Sequence, residues 1–266
     1  MTARFAPLAP DGGAEDFDRL APALWNTVGN AVVAAADVLL GERVLDVYAG
    51  TGSATIPAAQ LAGPAGRVDA VDSSGPMLDF ARSKAEAMGL ENIGFSAQDL
   101  MEFSGNLPYD AVLCCYGLFH APDMSAATLQ ISSLLHPDGR LALSTWDQEA
   151  LQPFETLLLE ACEAEAPNST PVRPGSFISN RRELTGEERL RAWLGRRSFT
   201  RITVEKLALA VPLDADAAWS LVLGSGYRGI LPSDPAAIDR VRTRFLRDLG
   251  AGFVLRADSL IAVARR

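Results

Sequence analysis

Short apolar runs alternate with longer helical stretches through the first half of the chain, and this alternation predicts a mostly parallel sheet covered by helices on both faces. Helices are expected over residues 17–26 and 28–40, the second stopped by Gly41. Strands are expected over residues 43–48, Arg67–Asp72, Ile93–Ala97, Tyr109–Cys115 and residues 140–146. Helices over residues 53–61, 75–88 and 125–135 connect them, and His136-Pro137-Asp138-Gly139 carries the residues of a chain-reversing turn. Beyond Asp147 the regularity loosens. A helix over residues 149–164 leads into a proline-rich loop over residues 167–175, then a helix over 186–194 and a strand over 202–210. Helices over residues 213–223 and Pro235–Leu249 precede a final strand over residues 253–263. No internal repeat or low-complexity tract interrupts this order.

The most specific local feature is Val44-Leu45-Asp46-Val47-Tyr48-Ala49-Gly50-Thr51-Gly52, a strand breaking into a glycine turn and then a helix. A dinucleotide fingerprint would place a third glycine three residues after Gly52 so that the helix start could approach a pyrophosphate; Thr55 stands there. Asp46 adds an anion that repels phosphate and attracts a cation. The pattern therefore suits a nucleoside bearing positive charge, and S-adenosylmethionine, with its sulfonium and ammonium groups, meets that description. Asp72 ends the second strand 20 residues after Gly52, the separation at which an acid accepts from ribose hydroxyls. After the third strand, Asp99 in Ser96-Ala97-Gln98-Asp99-Leu100 is placed to accept from an adenine amino group.

Composition narrows the partners. Lys and Arg number 24 against 33 Asp and Glu, a net charge of −9, which opposes a nucleic-acid partner because such binding needs clustered basic surface. The basic pairs Arg181-Arg182 and Arg196-Arg197 sit among Glu183, Glu187 and Glu188 and read as solvated helix faces. Three cysteines, two of them adjacent at Cys114 and Cys115, make no disulfide framework, and no Cys/His spacing suggests a zinc site or any other metal. With no apolar stretch long enough for a signal core or a membrane span, a cytoplasmic protein is expected. The sequence does not disclose an oligomeric state.

Together these motifs resemble the class I S-adenosylmethionine-dependent methyltransferases, and within them the small-molecule branch of the ubiquinone/menaquinone biosynthesis type. The resemblance covers roughly residues 40–147: the first glycine motif, the ribose-acid strand, the adenine loop, the fourth strand with Gly117-Leu118-Phe119-His120-Ala121-Pro122-Asp123, and Leu135 to Arg140 before strand five. It implies a Rossmann-like α/β fold with a seven-stranded, mostly parallel sheet, its last strand antiparallel, and helical lid insertions. It implies one methyltransferase domain over residues 1–266, with lid helices in 1–40, a cofactor core in 41–147, a cap in 148–200, and last strands in 201–266 carrying a helical insertion at 213–250.

By the same resemblance Asp46, Gly50 and Gly52 surround the methionine end of the cofactor. Asp72, with Ser73 and Met77, holds the ribose side, Asp99 and Leu100 hold adenine, and Cys115 and Tyr116 pass beneath the sulfonium. Tyr48 departs from the pattern, standing where the family has glycine; its ring either crowds the methionine arm or faces the sulfonium in a cation–π contact. His120, just after strand four, is the candidate general base for an acceptor hydroxyl, whereas His136 is read as structural. Trp25 on the lid, Trp146 at the end of strand five, and Phe177, Tyr227 and Arg228 in the insertions are the candidate acceptor contacts, the last two on a glycine-punctuated loop. These rings point to a small aromatic or polyketide-like metabolite methylated on oxygen, ahead of carbon or nitrogen. A protein that keeps the fold without methylating, and a nicotinamide-dependent reductase, are the alternatives.

Overall fold

The computed structural model describes residues 11–105, 108–167 and 176–266; apart from Pro167, the proline-rich loop expected at 167–175 lies outside the described residues. The strands are β1 (Arg43–Val47), β2 (Arg67–Asp72), β3 (Ile93–Ala97), β4 (Tyr109–Cys115), β5 (Leu135–Trp146), β6 (Thr200–Leu207), β7 (Ala210–Pro212), β8 (Val254–Arg256) and β9 (Ser259–Arg265). Seven of them form one sheet in the order β3-β2-β1-β4-β5-β9-β6. All pair in parallel except β9, which runs antiparallel to both β5 and β6. Val44, Leu45, Val112, Leu113 and Leu143 are at most 1% exposed. Burial on both faces is why these strands read as continuous apolar runs and not as alternating ones.

Helices α1 (Ala14–Arg19), α2 (Asn26–Ala36), α3 (Thr55–Ala62), α4 (Gly75–Ala87) and α5 (Met124–Leu134) flank the first half of the sheet. The second half adds α6 (Phe154–Glu165), α7 (Ser176–Leu184), α8 (Glu187–Gly195), α9 (Ala215–Gly224) and α10 (Pro235–Leu249). Several starts are fixed by side-chain caps: Ser74 accepts from Met77 N–H, and Asp123, Asp214 and Asp234 do the same for α5, α9 and α10. Strand order reverses between β1 and β4, so a crevice opens at their carboxyl ends. Among the described residues, no helix is long and apolar enough to cross a membrane.

Five expectations change. The single helix over residues 17–26 is α1 followed by a π-helical turn, Ala21–Trp25, that runs into α2; Pro22 has no N–H for a regular ladder, and the widened turn lets Trp25 Nε1 donate to the Phe17 carbonyl at 2.8 Å. Helix α2 ends at Asp37, in the left-handed region at φ 52°, before Gly41 is reached. His136 to Gly139 do not separate a helix from a strand: they lie inside β5 as a bulge between the pairs Tyr109↔Leu135 and Ala111↔Arg140, so the turn residues bend a strand without ending it. The strands expected over 202–210 and 253–263 each break in two. Ala257 N–H donates to the Leu209 carbonyl and Leu209 N–H to Asp258 Oδ1 at that corner, beyond which β7 and β8 pair as a separate ribbon. Helix α7 is not among the expected elements, although Arg181-Arg182 reads as a helix face.

Candidate active site

The glycine turn after β1 is shaped by three residues at positive φ: Tyr48 at 57°, Gly50 at 55° and Gly52 at 87°. Gly52 is required twice over, since a Cβ there would also lie 2.9 Å from Ala81 Cβ on α4. Gly50 N–H donates to Asp72 Oδ2 at 2.9 Å and Ser74 N–H to Asp72 Oδ1 at 2.9 Å, so the acid ending β2 ties the glycine turn to the start of α4. Burial pushes the Asp72 carboxyl above its ordinary range, although these N–H donors pull the other way. Asp46 is wholly buried beneath the turn. Its Oδ2 accepts from Thr55 Oγ1 at 2.6 Å while Oδ1 has no partner, and burial, reinforced by the nearby Asp72 charge, lifts its pKa to about 7.

A cavity of about 960 Å³, its open mouth included, extends from this turn across the ends of β4 and β5. Tyr48, Gly50, Asp72, Met77, Cys115 and Tyr116 line it together with Trp25, His120, Trp146, Phe177 and Tyr227. Its wall is a chain of rings. Phe17 stacks on Trp25 at 4.6 Å, Tyr116 stacks on Trp146 at 4.2 Å with Trp25 at its edge, and His120 lies parallel to Phe177 at 5.9 Å. Tyr116 is fixed at φ 52° by its N–H to Ser144 Oγ at 3.0 Å and by a hydroxyl contact with Ser259. Tyr48 packs onto Gly117, where a Cβ would fall 2.5 Å from Tyr48 Cβ and Cδ2. The Tyr48 ring thus occupies room that Gly117 leaves and still faces the cavity. Burial pushes the Cys115 thiol up to about 12, so it stays protonated at neutral pH.

Six of the predicted contacts sit elsewhere. Asp46 lies beneath the turn and Gly52 against α4, so both shape the loop without lining the cavity. Ser73 is exposed, and its neighbour Ser74 lines the wall instead. Asp99 caps its own turn through Met101 N–H at 2.8 Å, and Leu100 is buried in the core. Arg228 points away, toward Gly12, and the glycine-punctuated loop buries Tyr227 to 3% exposure.

Sequence reasoning missed Arg181. It was grouped with Arg182 as solvated, yet it is 7% exposed, lines the cavity, donates to Tyr227 Oη at 3.1 Å and pairs with buried Glu155. The signal was present in the spacing of Phe177, Arg181 and Leu184, one face of a helix. Asn180 fastens that helix by donating to the carbonyls of Phe119 and Ala121 at 3.2 and 3.0 Å.

This donor set fits a nucleoside with an onium group. Two carboxyls, Asp72 on the wall and Asp46 below it, flank the glycine turn, and Ser53, also on the wall, has a buried hydroxyl without a partner. A diphosphate would meet Asp72 at the wall. The comparisons agree: residues 40–184 match a family model described as a methyltransferase domain. Aklanonic acid methyltransferase DauC of a Streptomyces species is 31% identical over 137 residues, 51% of this chain and 62% of that one. Demethylmenaquinone methyltransferase of Staphylococcus aureus is 33% identical over 119 residues, 44% and 48% of the two chains. The aligned stretch thus spans about half to three-fifths of the length of these relatives. The YcgJ protein of Bacillus subtilis superimposes with a TM-score of 0.59 at 17% identity, over 90% of this chain and 98% of that one, which supports the fold. With more than half of its length matched, the chain belongs to the S-adenosylmethionine-dependent methyltransferase family.

Proposed function

We propose that this protein methylates a small aromatic or polyketide-like metabolite, on oxygen in preference to carbon or nitrogen. The observation that carries the reading is one cavity lined both by the glycine turn with Asp72 and by a set of aromatic rings. S-adenosylmethionine, when bound, supplies an electrophilic methyl group. Asp72 would accept from the ribose hydroxyls through lone pairs left by its two backbone donors, and Gly50 would offer close backbone approach. Met77 and Ser74, at the start of α4, would carry the base, in place of Asp99 and Leu100.

The remaining work is alignment and exclusion of water. Trp25, Tyr116, Trp146 and Phe177 present flat apolar faces to a planar acceptor, and Tyr48 faces the same space from the turn. His120, between Phe119 and Phe177, is placed to take the proton of an acceptor hydroxyl.

The test is transfer of labelled methyl to a panel of phenolic polyketides, quinols and aromatic amines, with products assigned by mass spectrometry. Labelled ether or ester products are expected. His120→Ala should lower turnover and leave S-adenosylhomocysteine affinity unchanged. A protein that binds the cofactor but labels nothing in the panel would belong to the non-methylating alternative.

A further inference from the structure

Among the described residues the cavity wall carries one buried cation, Arg181, and its surroundings define what it can recognise. Arg181 lies on α7 four residues after Phe177, so both side chains reach the cavity from one helix face. Glu155, on α6, is 2% exposed and stands behind Arg181, off the cavity wall. Arg181 Nη2 donates to Glu155 Oε2, Arg181 Nη1 to Tyr227 Oη at 3.1 Å, and Tyr227 Oη to Glu155 Oε2 at 2.6 Å. This closed triangle spends the tyrosine hydroxyl and fixes the guanidinium in one orientation. An arginine has five N–H donors, and these bonds use two of Arg181's.

A buried cation with unspent donors beside an apolar wall is costly unless something answers it. Glu155 answers the charge from off the cavity wall, and the two bonds leave Nε–H and one N–H on each Nη of the wall-lining guanidinium unspent. Its neighbours are rings: it bonds Tyr227, against which Phe177 packs at 5.4 Å, with His120 beyond at 5.9 Å. Among the described lining residues the other acidic or strongly basic side chain is Asp72, bound to the N–H groups of Gly50 and Ser74.

We propose that Arg181, held by Glu155 and Tyr227, is a specificity-determining residue that seats a planar anionic oxygen group of the acceptor, a carboxylate or an ionised phenol or enol, while the acceptor's ring lies along the aromatic wall. The inference rests on the methyltransferase reading of the cavity and refines its substrate class: acidic aromatic acceptors are favoured over neutral or amine-bearing ones. Arginine suits this role better than lysine because its fork meets two coplanar oxygens at once.

The test uses the full chain saturated with S-adenosylhomocysteine, whose own binding is measured first by calorimetry. Hydroxynaphthoic acid, ionised at neutral pH, and naphthol, its counterpart without the carboxylate, are then titrated by tryptophan fluorescence. The wild type should prefer the naphthoate by at least about tenfold, the scale of one charge-assisted hydrogen bond. The double variant Arg181→Met with Glu155→Gln removes both charges together, so no buried ion is left alone; it should lose that preference and keep its affinity for naphthol. Arg181→Lys should fall between the two.

Equal binding of the two probes by the wild type, no binding of the naphthoate, or an undiminished preference in the folded double variant would each overturn the assignment. The wild-type comparison decides even where the variants fail to fold. Failure of S-adenosylhomocysteine to bind would instead count against the methyltransferase reading itself.

Discussion

Gly117→Ala isolates the one place where this chain departs from the glycine-turn pattern. Gly117 has φ −93° and ψ −43°, a conformation open to any L residue, so backbone strain contributes nothing. The obstacle is Tyr48, whose Cβ, Cδ2 and Cγ would lie 2.5 to 2.6 Å from the added methyl. These atoms form the root of the ring, and the Tyr48 backbone is itself held at φ 57°, so the ring cannot swing clear at its tip. Overpacking of this kind costs about 1–3 kcal/mol. For a chain of this length that is a fall in Tm of roughly 2–4 °C per kcal/mol.

The decisive assay is a double-mutant cycle by urea denaturation, adding Tyr48→Gly, because alanine would keep the Cβ that lies 2.5 Å from the new methyl. With the ring and its Cβ gone, the Gly117→Ala cost should shrink to within about 0.5 kcal/mol of zero, a coupling of about 1–3 kcal/mol. If the two single costs simply add, the interlock between the turn and the β4 loop does not exist, and the placement of Tyr48 on the cavity wall loses its support.

Asp46→Asn tests the buried acid. Its pKa stands at about 7 against an ordinary 3.8, so between those values the folded state binds a proton that the unfolded state has released, and stability falls as pH rises through the window. The variant should match the wild type near pH 4 and exceed it by up to about 4 kcal/mol near pH 8; parallel stability–pH curves would refute this. Glu155→Ala strands the Arg181 charge and should cost about 3–5 kcal/mol by denaturation, largely relieved by adding Arg181→Met; a loss under about 1 kcal/mol would mean the pair is not buried as described. Asp37→Gly relieves a left-handed residue at the end of α2 and should raise stability by up to about 1 kcal/mol, whereas destabilisation would show that the aspartate side chain holds the helix end.

Most of the sheet and the glycine turn were legible because a doubly covered parallel strand needs an unbroken apolar run and the turn needs glycines at fixed offsets. Helix α7 was not. Its buried face is Phe177, Arg181 and Leu184, and a hydrophobic count that scores arginine as solvated sees only two of the three. The corner at Leu209 and Asp258 escaped for a different reason: the apolar pattern continues across it while the hydrogen-bonding partners change. Asp99 was read as reaching toward a ligand, but an aspartate two residues before a free N–H satisfies that donor first, and Met101 supplies it. Asp72 and Trp146, which end strands, and Tyr116, which follows one, all line the cavity, and a strand end is legible in sequence.

We propose that the crevice between β1 and β4 selects an onium-bearing nucleoside over a diphosphate, with Asp72 as its anchor. Titration calorimetry of S-adenosylmethionine and NADH against the wild type and Asp72→Asn measures it directly. One site for S-adenosylmethionine is expected, weakened at least about tenfold in the variant, with no competition from NADH. Tight NADH binding that S-adenosylmethionine cannot displace, or an affinity indifferent to Asp72, would contradict it.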